Sequence, residues 1–398
     1  MDSVAKYQGQ LLEQAQFMNY EAPISEAVGQ AFMALPRHLF VNRYRMFGTK
    51  EWQDVTAQNI QEHLGRLYAD EPVCLLGDDD NDIISTISQP SFVLRSLDML
   101  QLRAGQRVFE LGTASGWNAA LMAHLVQPGG HVYSIEIMPQ LAGEAAERLD
   151  QLGIPNVTVV EADGGDGYAP GAPYDRATFT AGTYDLPRHF YKQMKEGGLL
   201  LVGIKNEGGG DNLFLLRKTA DHFESVESMP CGWVQMRGKY HIDKANPEPI
   251  EALDAWNELQ TQEISKTPFW WSVKGREPFV WVTAGIRSFL GITEPCFRTF
   301  KVEKTPKQPR EERYFGLWDE EHRSLVLAKH DCLIAYGNAM AKERLMERLQ
   351  QWVNLGMPTG SSFELQVYPA AISLTPGQNQ WITKREESQF LWSLGTTQ

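Results

Sequence analysis

A run of β-branched and aromatic residues leads directly into a turn of small residues at 108–117, which reads Val-Phe-Glu-Leu-Gly-Thr-Ala-Ser-Gly-Trp. A second strand pattern, at 131–136, ends in Glu136. The backbone N–H groups of such a turn can approach a carboxylate or phosphate, and an acid ending the next strand can accept hydrogen bonds from two ribose hydroxyls. The spacing from Gly112 to Glu136, 136 − 112 = 24 residues, is close to the ~20 of dinucleotide folds. Together these features predict a nucleoside site.

Strand and helix patterns alternate around this turn, which predicts an α/β fold with a parallel sheet and helices on both faces. The predicted strands are 108–111, 131–136, 156–162, 174–180 and 198–204, and the helices between them end at 126, 152 and 194. Upstream, residues 24–35 have helical spacing of apolar residues. Downstream, residues 211–219 and 222–229 predict an antiparallel hairpin at the edge of the sheet.

The alternation stops near Gly238, and the remaining patterns predict a smaller C-terminal α+β domain. A helix predicted at 249–264 belongs to a connecting segment, and the domain beyond it comprises strands at 279–283, 314–318, 324–329, 332–336 and 362–368 and a helix at 339–355. The chain therefore divides into an N-terminal helical segment with a substrate-side loop (1–90), a nucleoside-binding domain (91–238), a connecting segment (239–275) and the C-terminal domain (276–398).

Composition excludes several classes of partner. The net charge is −13, and the sequence has no cluster of Lys and Arg. Because proteins bind nucleic acids by neutralising phosphates with such clusters, we expect no nucleic-acid partner. Four dispersed cysteines, Cys74, Cys231, Cys296 and Cys332, form no Cys-x-x-Cys pair, which predicts reduced thiols and no metal site. The sequence has no basic leader and no apolar run of membrane-spanning length, so we expect a cytoplasmic protein without a membrane partner.

The turn also indicates which nucleoside is bound. Residues 112–116 lack the Gly-x-Gly-x-x-Gly register of dinucleotide-binding proteins and a phosphate-binding Lys. Glu110, just before the turn, can attract an ammonium group directly or through water, and S-adenosylmethionine has such a group whereas NAD does not. Asp163, followed by Gly164, ends the third strand and can accept a hydrogen bond from an adenine amino group. Three polar sites at the ends of three successive strands fit one extended ligand in the crevice of the sheet.

These residues carry a specific resemblance. About half of the chain, from 31 to 238, resembles protein-L-isoaspartate O-methyltransferases of the bacterial type, in the order and spacing of that family. The matching runs are 31–41, 68–72, 86–90 (Thr-Ile-Ser-Gln-Pro), 110–117, 134–136, 163–164, 172–176 and 195–198. The Thr-Ile-Ser-Gln-Pro run is the most specific, because methyltransferases at large do not share it. The resemblance implies a Rossmann-like sheet that binds S-adenosylmethionine, in an enzyme that methylates a carboxylate of a protein or peptide.

The resemblance also implies the site residues. Ser88 takes the position of the active-site serine, and substrate contacts fall on Ser88, Gln89 and Trp233. The residues implied for the cofactor are Thr86, Ile87, Glu110, Gly112, Thr113, Ala114, Ser115, Gly116, Glu136, Ile137, Asp163 and Gly164. One of them departs from the family, since Ala114 stands where a glycine is usual, and a positive φ there would cost roughly 1 kcal/mol.

The implied reaction is the attack of a carboxylate oxygen on a methyl group bound to a sulfonium. A carboxylate is already ionised at pH 7, so the reaction needs no strong general base. Alignment and desolvation then provide most of the acceleration, and Ser88 would position the acceptor carboxylate with a hydrogen bond. A second interpretation makes Ser88 the N-cap of the helix that follows, and the two roles are compatible.

Three functions remain open from the sequence. The first is methylation of isoaspartyl residues in damaged proteins, after which the methyl ester closes to a succinimide. The second is a tailoring methyltransferase that esterifies an Asp of one dedicated ribosomal precursor peptide, which residues 239–398 would recognise. The third is a catalytically silent adaptor that binds S-adenosylmethionine and isoaspartyl peptides.

Overall fold

The computed structural model describes residues 3–18, 23–78, 83–207, 211–243, 246–268, 276–302, 312–329 and 332–395. Among them no helix is long and apolar enough to cross a bilayer. Three sheets organise these residues: a small N-terminal sheet of four strands, a central sheet of ten and a C-terminal sheet of six.

The N-terminal part packs helices and the small sheet beside the central sheet. Its elements are α1 (Ser3–Met18), α2 (Glu26–Ala34), β1 (Arg43–Arg45), β2 (Trp52–Asp54), α3 (Ile60–Leu67), β3 (Val73–Gly77), β4 (Ile83–Ile87) and α4 (Pro90–Leu100). The prediction of a helix at 24–35 is confirmed by α2. Ser25 caps this helix, because its hydroxyl oxygen accepts a hydrogen bond from the backbone N–H of Val28 at 3.4 Å. The short stretch between β4 and α4 holds Ser88.

The middle of the chain forms the parallel part of the central sheet. Its elements are β5 (Arg107–Leu111), α5 (Trp117–Leu125), β6 (His131–Glu136), α6 (Pro139–Gln151), β7 (Val157–Glu161), β8 (Tyr174–Phe179), α7 (Phe190–Gln193), β9 (Met194–Ile204), β10 (Asn212–Lys218) and β11 (Phe223–Pro230). Strands β9, β8, β5, β6 and β7 lie side by side in this order and are parallel. Phe109 and Leu111 pack into one apolar core and Val108 into the other, so both faces of the sheet are covered, as predicted.

Two predictions about this region are corrected. The helix expected up to residue 194 is confined to the single turn of α7, because Met194 already pairs with Tyr174 of β8. The hairpin of β10 and β11 does not lie at the edge of the sheet. A later strand covers β11, with Phe223 opposite Val367 and Glu224 opposite Gln366.

The C-terminal part contributes to two sheets. Its elements are β12 (Glu248–Pro249), α8 (Trp256–Leu259), β13 (Glu263–Pro268), α9 (Arg276–Thr293), β14 (Phe297–Val302), β15 (Glu312–Asp319), β16 (Ser324–Lys329), β17 (Cys332–Tyr336), α10 (Met340–Asn354), β18 (Phe363–Pro369), β19 (Gln380–Lys384) and β20 (Ser388–Leu394). Strands β12 to β17 form the C-terminal sheet, in the order β12-β14-β15-β16-β17-β13. Strands β18, β20 and β19 instead extend the central sheet beyond β11. The segment 276–398, which was predicted as one domain, therefore contributes strands to two different sheets. The boundaries of the four predicted segments stay predictions.

Two element predictions in this part are wrong. Residues 249–264 form a short helix and the start of β13 rather than one helix, since residues 263–268 pair with β17. Residues 279–283 lie inside α9 and are not a strand, because short apolar runs in strands and buried helices have the same pattern. The helix predicted at 339–355 is confirmed by α10.

One apolar core joins the C-terminal part to the central sheet. It contains Phe214 of β10, Leu290 of α9, Trp352 of α10 and Trp392 of β20, each at most 2% exposed. The rings of Phe214 and Trp392 meet edge to face, with centroids 5.9 Å apart. The C-terminal part is therefore packed against the parallel sheet along a continuous apolar interface.

Candidate active site

A cleft opens at the carboxyl ends of β5, β6, β7 and β8, where parallel sheets bind their ligands. It encloses about 1020 Å³, including the part open to solvent. Most of the predicted site residues line it: Thr86, Ile87, Ser88, Gly112, Thr113, Ala114, Ser115, Glu136, Ile137, Asp163, Gly164 and Trp233. Three predicted residues, Glu110, Gly116 and Gln89, are not among the lining residues.

The turn after β5 contains three residues with a positive φ. Gly112 has a φ of 92°, and a Cβ atom there would collide with the hydroxyl oxygen of Thr180. Gly116, with a φ of 83°, immediately precedes α5. Ala114, which stands where the family usually has a glycine, also has a positive φ of 46°. An alanine in this conformation carries a strain of roughly 1 kcal/mol.

Two carboxylates lie at the ends of β6 and β7. Glu136 is 5% exposed, and its two oxygens accept backbone hydrogen bonds from Ala114 N at 2.8 Å and Met138 N at 3.0 Å. Asp163 accepts from Gly165 N and from Lys239 N, both at 2.9 Å. Each carboxylate is thus fixed by two N–H donors and keeps further lone pairs for a ligand.

Glu110 is fully buried behind the lining residues. Its carboxylate accepts hydrogen bonds from Asn118 Nδ2 at 2.7 Å and Ser134 Oγ at 2.5 Å, and Ser134 Oγ lies 2.6 Å from Thr113 Oγ1. Burial raises the pKa of Glu110 to about 7, although the hydrogen bonds from Ser134 and Asn118 oppose that rise. Glu110 therefore reaches the cleft through Asn118 and Thr113, which line it.

Ser88 lies between β4 and α4 and is held from behind by a buried arginine. Arg37 Nη2 donates to the carbonyls of Ser88 at 3.0 Å and Ile87 at 3.2 Å, and its Nη1 donates to Leu67 O at 2.6 Å. Burial lowers the pKa of Arg37 to about 10. This role of Arg37 was not predicted from the sequence. The sequence shows only that a charged residue lies inside the apolar run 31–41.

The N-cap position of α4 belongs to Gln89 rather than to Ser88. Asp70 supports this end of the helix, because it accepts hydrogen bonds from Ser91 N at 2.8 Å, Ser91 Oγ at 2.7 Å and Gln89 Nε2 at 2.9 Å. Ser88 is therefore not needed as a cap. Asp70 was visible in the sequence only as part of the matching run 68–72.

One wall of the cleft is formed by residues 233–237, which we call the wall segment. At one end of this segment, the ring of Trp233 contacts that of Phe92 edge to face, with centroids 5.1 Å apart. Phe92 lies four residues after Ser88 in the chain. At the other end follows Gly238, where a Cβ atom would lie 2.6 Å from Cδ1 of Ile137. The wall segment thus runs from the Ser88 side of the cleft to the side of Ile137 and Asp163.

The sequence of this chain is similar to those of known proteins. The sequence model of the family described as protein-L-isoaspartate(D-aspartate) O-methyltransferase matches residues 8–241. The protein-L-isoaspartate O-methyltransferase of Ignicoccus hospitalis is 36% identical over 209 residues, which are 52% of this chain and 88% of that protein. The corresponding protein of Pyrococcus horikoshii is 36% identical over 181 residues, 45% of this chain and 70% of its own.

A solved structure titled protein-L-isoaspartate O-methyltransferase is also similar, with a TM-score of 0.53 and 22% sequence identity. The match covers 92% of this chain and 98% of that one. The similarity of fold therefore extends beyond residue 241 into the C-terminal part.

Proposed function

We propose a function from one premise: the chain belongs to the protein-L-isoaspartate(D-aspartate) O-methyltransferase family. It is an enzyme that uses S-adenosylmethionine, as its family does. We infer that its acceptor is the α-carboxylate of an L-isoaspartyl residue in a protein or peptide. The observation that carries this proposal is that Ser88 lines the same cleft as the turn after β5, Glu136 and Asp163.

The lining residues fit the methyl donor. The Glu136 carboxylate accepts only two N–H bonds within the described residues, which leaves lone pairs for two ribose hydroxyls. Asp163 has the same capacity for an adenine amino group. A Cβ atom at Gly164 would lie 2.6 Å from Cγ of Leu111, so only glycine leaves this side of the cleft open to a flat base. When bound here, S-adenosylmethionine supplies an electrophilic methyl group.

The ionisable residues that line the cleft are consistent with a reaction that needs no general base. Among the described lining residues these are Glu136, Asp163 and Arg237, and none is histidine, lysine, cysteine or tyrosine. An isoaspartyl carboxylate enters already ionised and needs orientation rather than deprotonation. We infer that the Ser88 hydroxyl donates a hydrogen bond to it, on a backbone that Arg37 holds in place. The backbone amide nitrogen that follows the isoaspartyl residue can then attack the ester carbonyl and expel methanol, which leaves far more readily than the oxygen of a free carboxylate, so closure to a succinimide follows.

Radioactive transfer tests the proposal. The full chain is incubated with methyl-labelled S-adenosylmethionine and two peptides that differ only in L-isoaspartate or L-aspartate. Ser88→Ala is compared with Ser324→Ala, a matched change at a buried serine of the C-terminal sheet. We expect the wild type to label the isoaspartyl peptide alone. Ser88→Ala should slow transfer by roughly 10- to 100-fold and leave the calorimetric affinity for S-adenosylhomocysteine unchanged, and Ser324→Ala should retain the rate.

The other outcomes each contradict the proposal in a distinct way. Labelling of the aspartyl peptide alone would favour the tailoring methyltransferase. Binding of S-adenosylhomocysteine without transfer to either peptide would leave the adaptor and a tailoring methyltransferase for one dedicated peptide. Absence of that binding would show that the cleft is not the cofactor site.

A further inference from the structure

The loop after β8, residues 180–188, connects the cleft to other parts of the fold. Its first two residues line the cleft. Gly182 then makes two backbone hydrogen bonds with the wall segment: its N–H donates to Val234 O at 2.8 Å, and its carbonyl accepts from Met236 N at 2.9 Å. The position of the wall segment is therefore coupled to that of this loop.

The far end of the same loop is held by the turn between β19 and β20. Asp185 is 4% exposed, and its carboxylate accepts hydrogen bonds from Glu387 N at 2.7 Å and from the hydroxyl of Ser388. The Ser388 oxygen also accepts from Leu186 N at 3.4 Å, and the Glu387 carboxylate accepts from Arg188 N at 3.0 Å. Four hydrogen bonds thus join the loop to a turn that lies outside the segment matched by the family, 8–241.

Arg385 adds a second attachment next to the first. Its guanidinium carbon lies 3.9 Å from the ring centroid of Tyr184 and 4.4 Å from that of Phe390. The guanidinium group donates to Lys205 O at 3.1 Å and to Asn206 Oδ1 at 3.2 Å. The turn therefore contacts both the loop and the residues that follow β9.

We propose that the β19–β20 turn positions the wall segment through Asp185, so that Asp185 and Ser388 are positioning residues for the methyl acceptor. The proposal rests on the function proposed above, because the wall segment affects transfer only if the acceptor enters this cleft. Removing either partner, the Asp185 carboxylate or the Ser388 hydroxyl, breaks hydrogen bonds that fix this end of the loop, so the loop would shift. A displaced wall segment loses contacts with the acceptor, and the loss of one such contact weakens acceptor binding roughly tenfold.

The test compares three variants of the full chain. Asp185→Ala and Ser388→Ala remove the two sides of the contact, and Ser324→Ala removes a hydroxyl that is equally buried and bonds Asn338 O and Ala341 N within the C-terminal part. Two quantities are measured: hydrogen exchange of the Gly182 and Met236 amides without substrate, and the kinetic constants for an isoaspartyl peptide. We expect faster exchange and a KM raised roughly tenfold for the first two variants, with affinity for S-adenosylhomocysteine unchanged. Asp185→Asn, which keeps one acceptor oxygen for Glu387 N, should recover most of the loss.

Three outcomes would overturn the proposal. Two of them are unchanged amide exchange in Asp185→Ala and faster exchange with an unchanged KM. A comparable rise in KM for Ser324→Ala would do the same, since it would reduce the effect to general destabilisation. The exchange measurement needs no acceptor. A wild-type chain that fails to methylate isoaspartyl peptides would therefore count against the proposed function, while exchange alone would decide whether the turn positions the wall segment.

Discussion

Replacing Glu110 with glutamine is expected to change how the stability of the folded chain depends on pH. The side chain is fully buried, and burial raises its pKa from 4.5 to about 7. Glutamine keeps the size of the side chain and an oxygen that can accept from Asn118, but it cannot ionise. The variant therefore removes the titration with little change in packing.

The sign and size of the effect follow from the two pKa values. Between pH 4.5 and 7 the folded chain holds the Glu110 proton while the unfolded chain releases it. The stability that this proton contributes is complete below pH 4.5 and is lost as the pH rises to about 7. Because one pKa unit corresponds to about 1.4 kcal/mol, the loss is roughly 3 kcal/mol.

Urea unfolding of wild type and Glu110→Gln between pH 4 and 8.5, without cofactor, measures this loss. Subtracting the two free energies of unfolding cancels the other titrating groups, which both chains share. Relative to that of the wild type, we expect the free energy of unfolding of Glu110→Gln to rise by roughly 3 kcal/mol as the pH increases from 4.5 to about 7. Above this pH the difference should stay constant. A difference that is constant over the whole range would refute the reasoning, because Glu110 would then titrate alike in both states.

Two substitutions in the cleft give further predictions. Ala114→Gly removes the strain of a positive φ and should raise the free energy of unfolding by up to about 1 kcal/mol, measured by urea titration; a loss of stability would contradict the strain argument. Gly164→Ala places a Cβ atom 2.6 Å from Leu111 Cγ and should weaken S-adenosylhomocysteine binding in calorimetry by at least roughly tenfold, whereas unchanged affinity would place the base elsewhere.

The sequence predicts well those parts of the fold that depend on local patterns. Strands β6, β16 and β17 have the predicted bounds, because β-branched and apolar runs bounded by turn residues leave little choice of structure. Part of the cleft was predictable from the strand pattern, because the turn after β5, Glu136 and Asp163 follow successive strands, and the carboxyl ends of parallel strands meet at one edge. Ser88 and Trp233 were implied only by the resemblance to the family.

The residues that sequence reasoning missed act across long separations in the chain. Arg37 contacts Ser88 from 51 residues away, and Asp70 contacts Ser91 from 21 residues away. Nothing in the local pattern around a buried arginine indicates which carbonyls it will bind. The small N-terminal sheet was missed too, because β1 and β2 have three residues each and are too short to show alternation.

The most consequential miss is that the end of the chain completes the central sheet. Strand β18 pairs with β11 over only two residue pairs, so backbone pairing contributes little to holding the C-terminal strands on the central sheet. Most of the attachment is apolar instead, since Phe363 and Trp392 lie in the same core as Phe214 and Leu290. A core of this kind fixes the β19–β20 turn against the loop after β8 without a long strand pairing. The C-terminal part is thereby placed to influence the cleft from behind, although none of its described residues is among those that line the cleft.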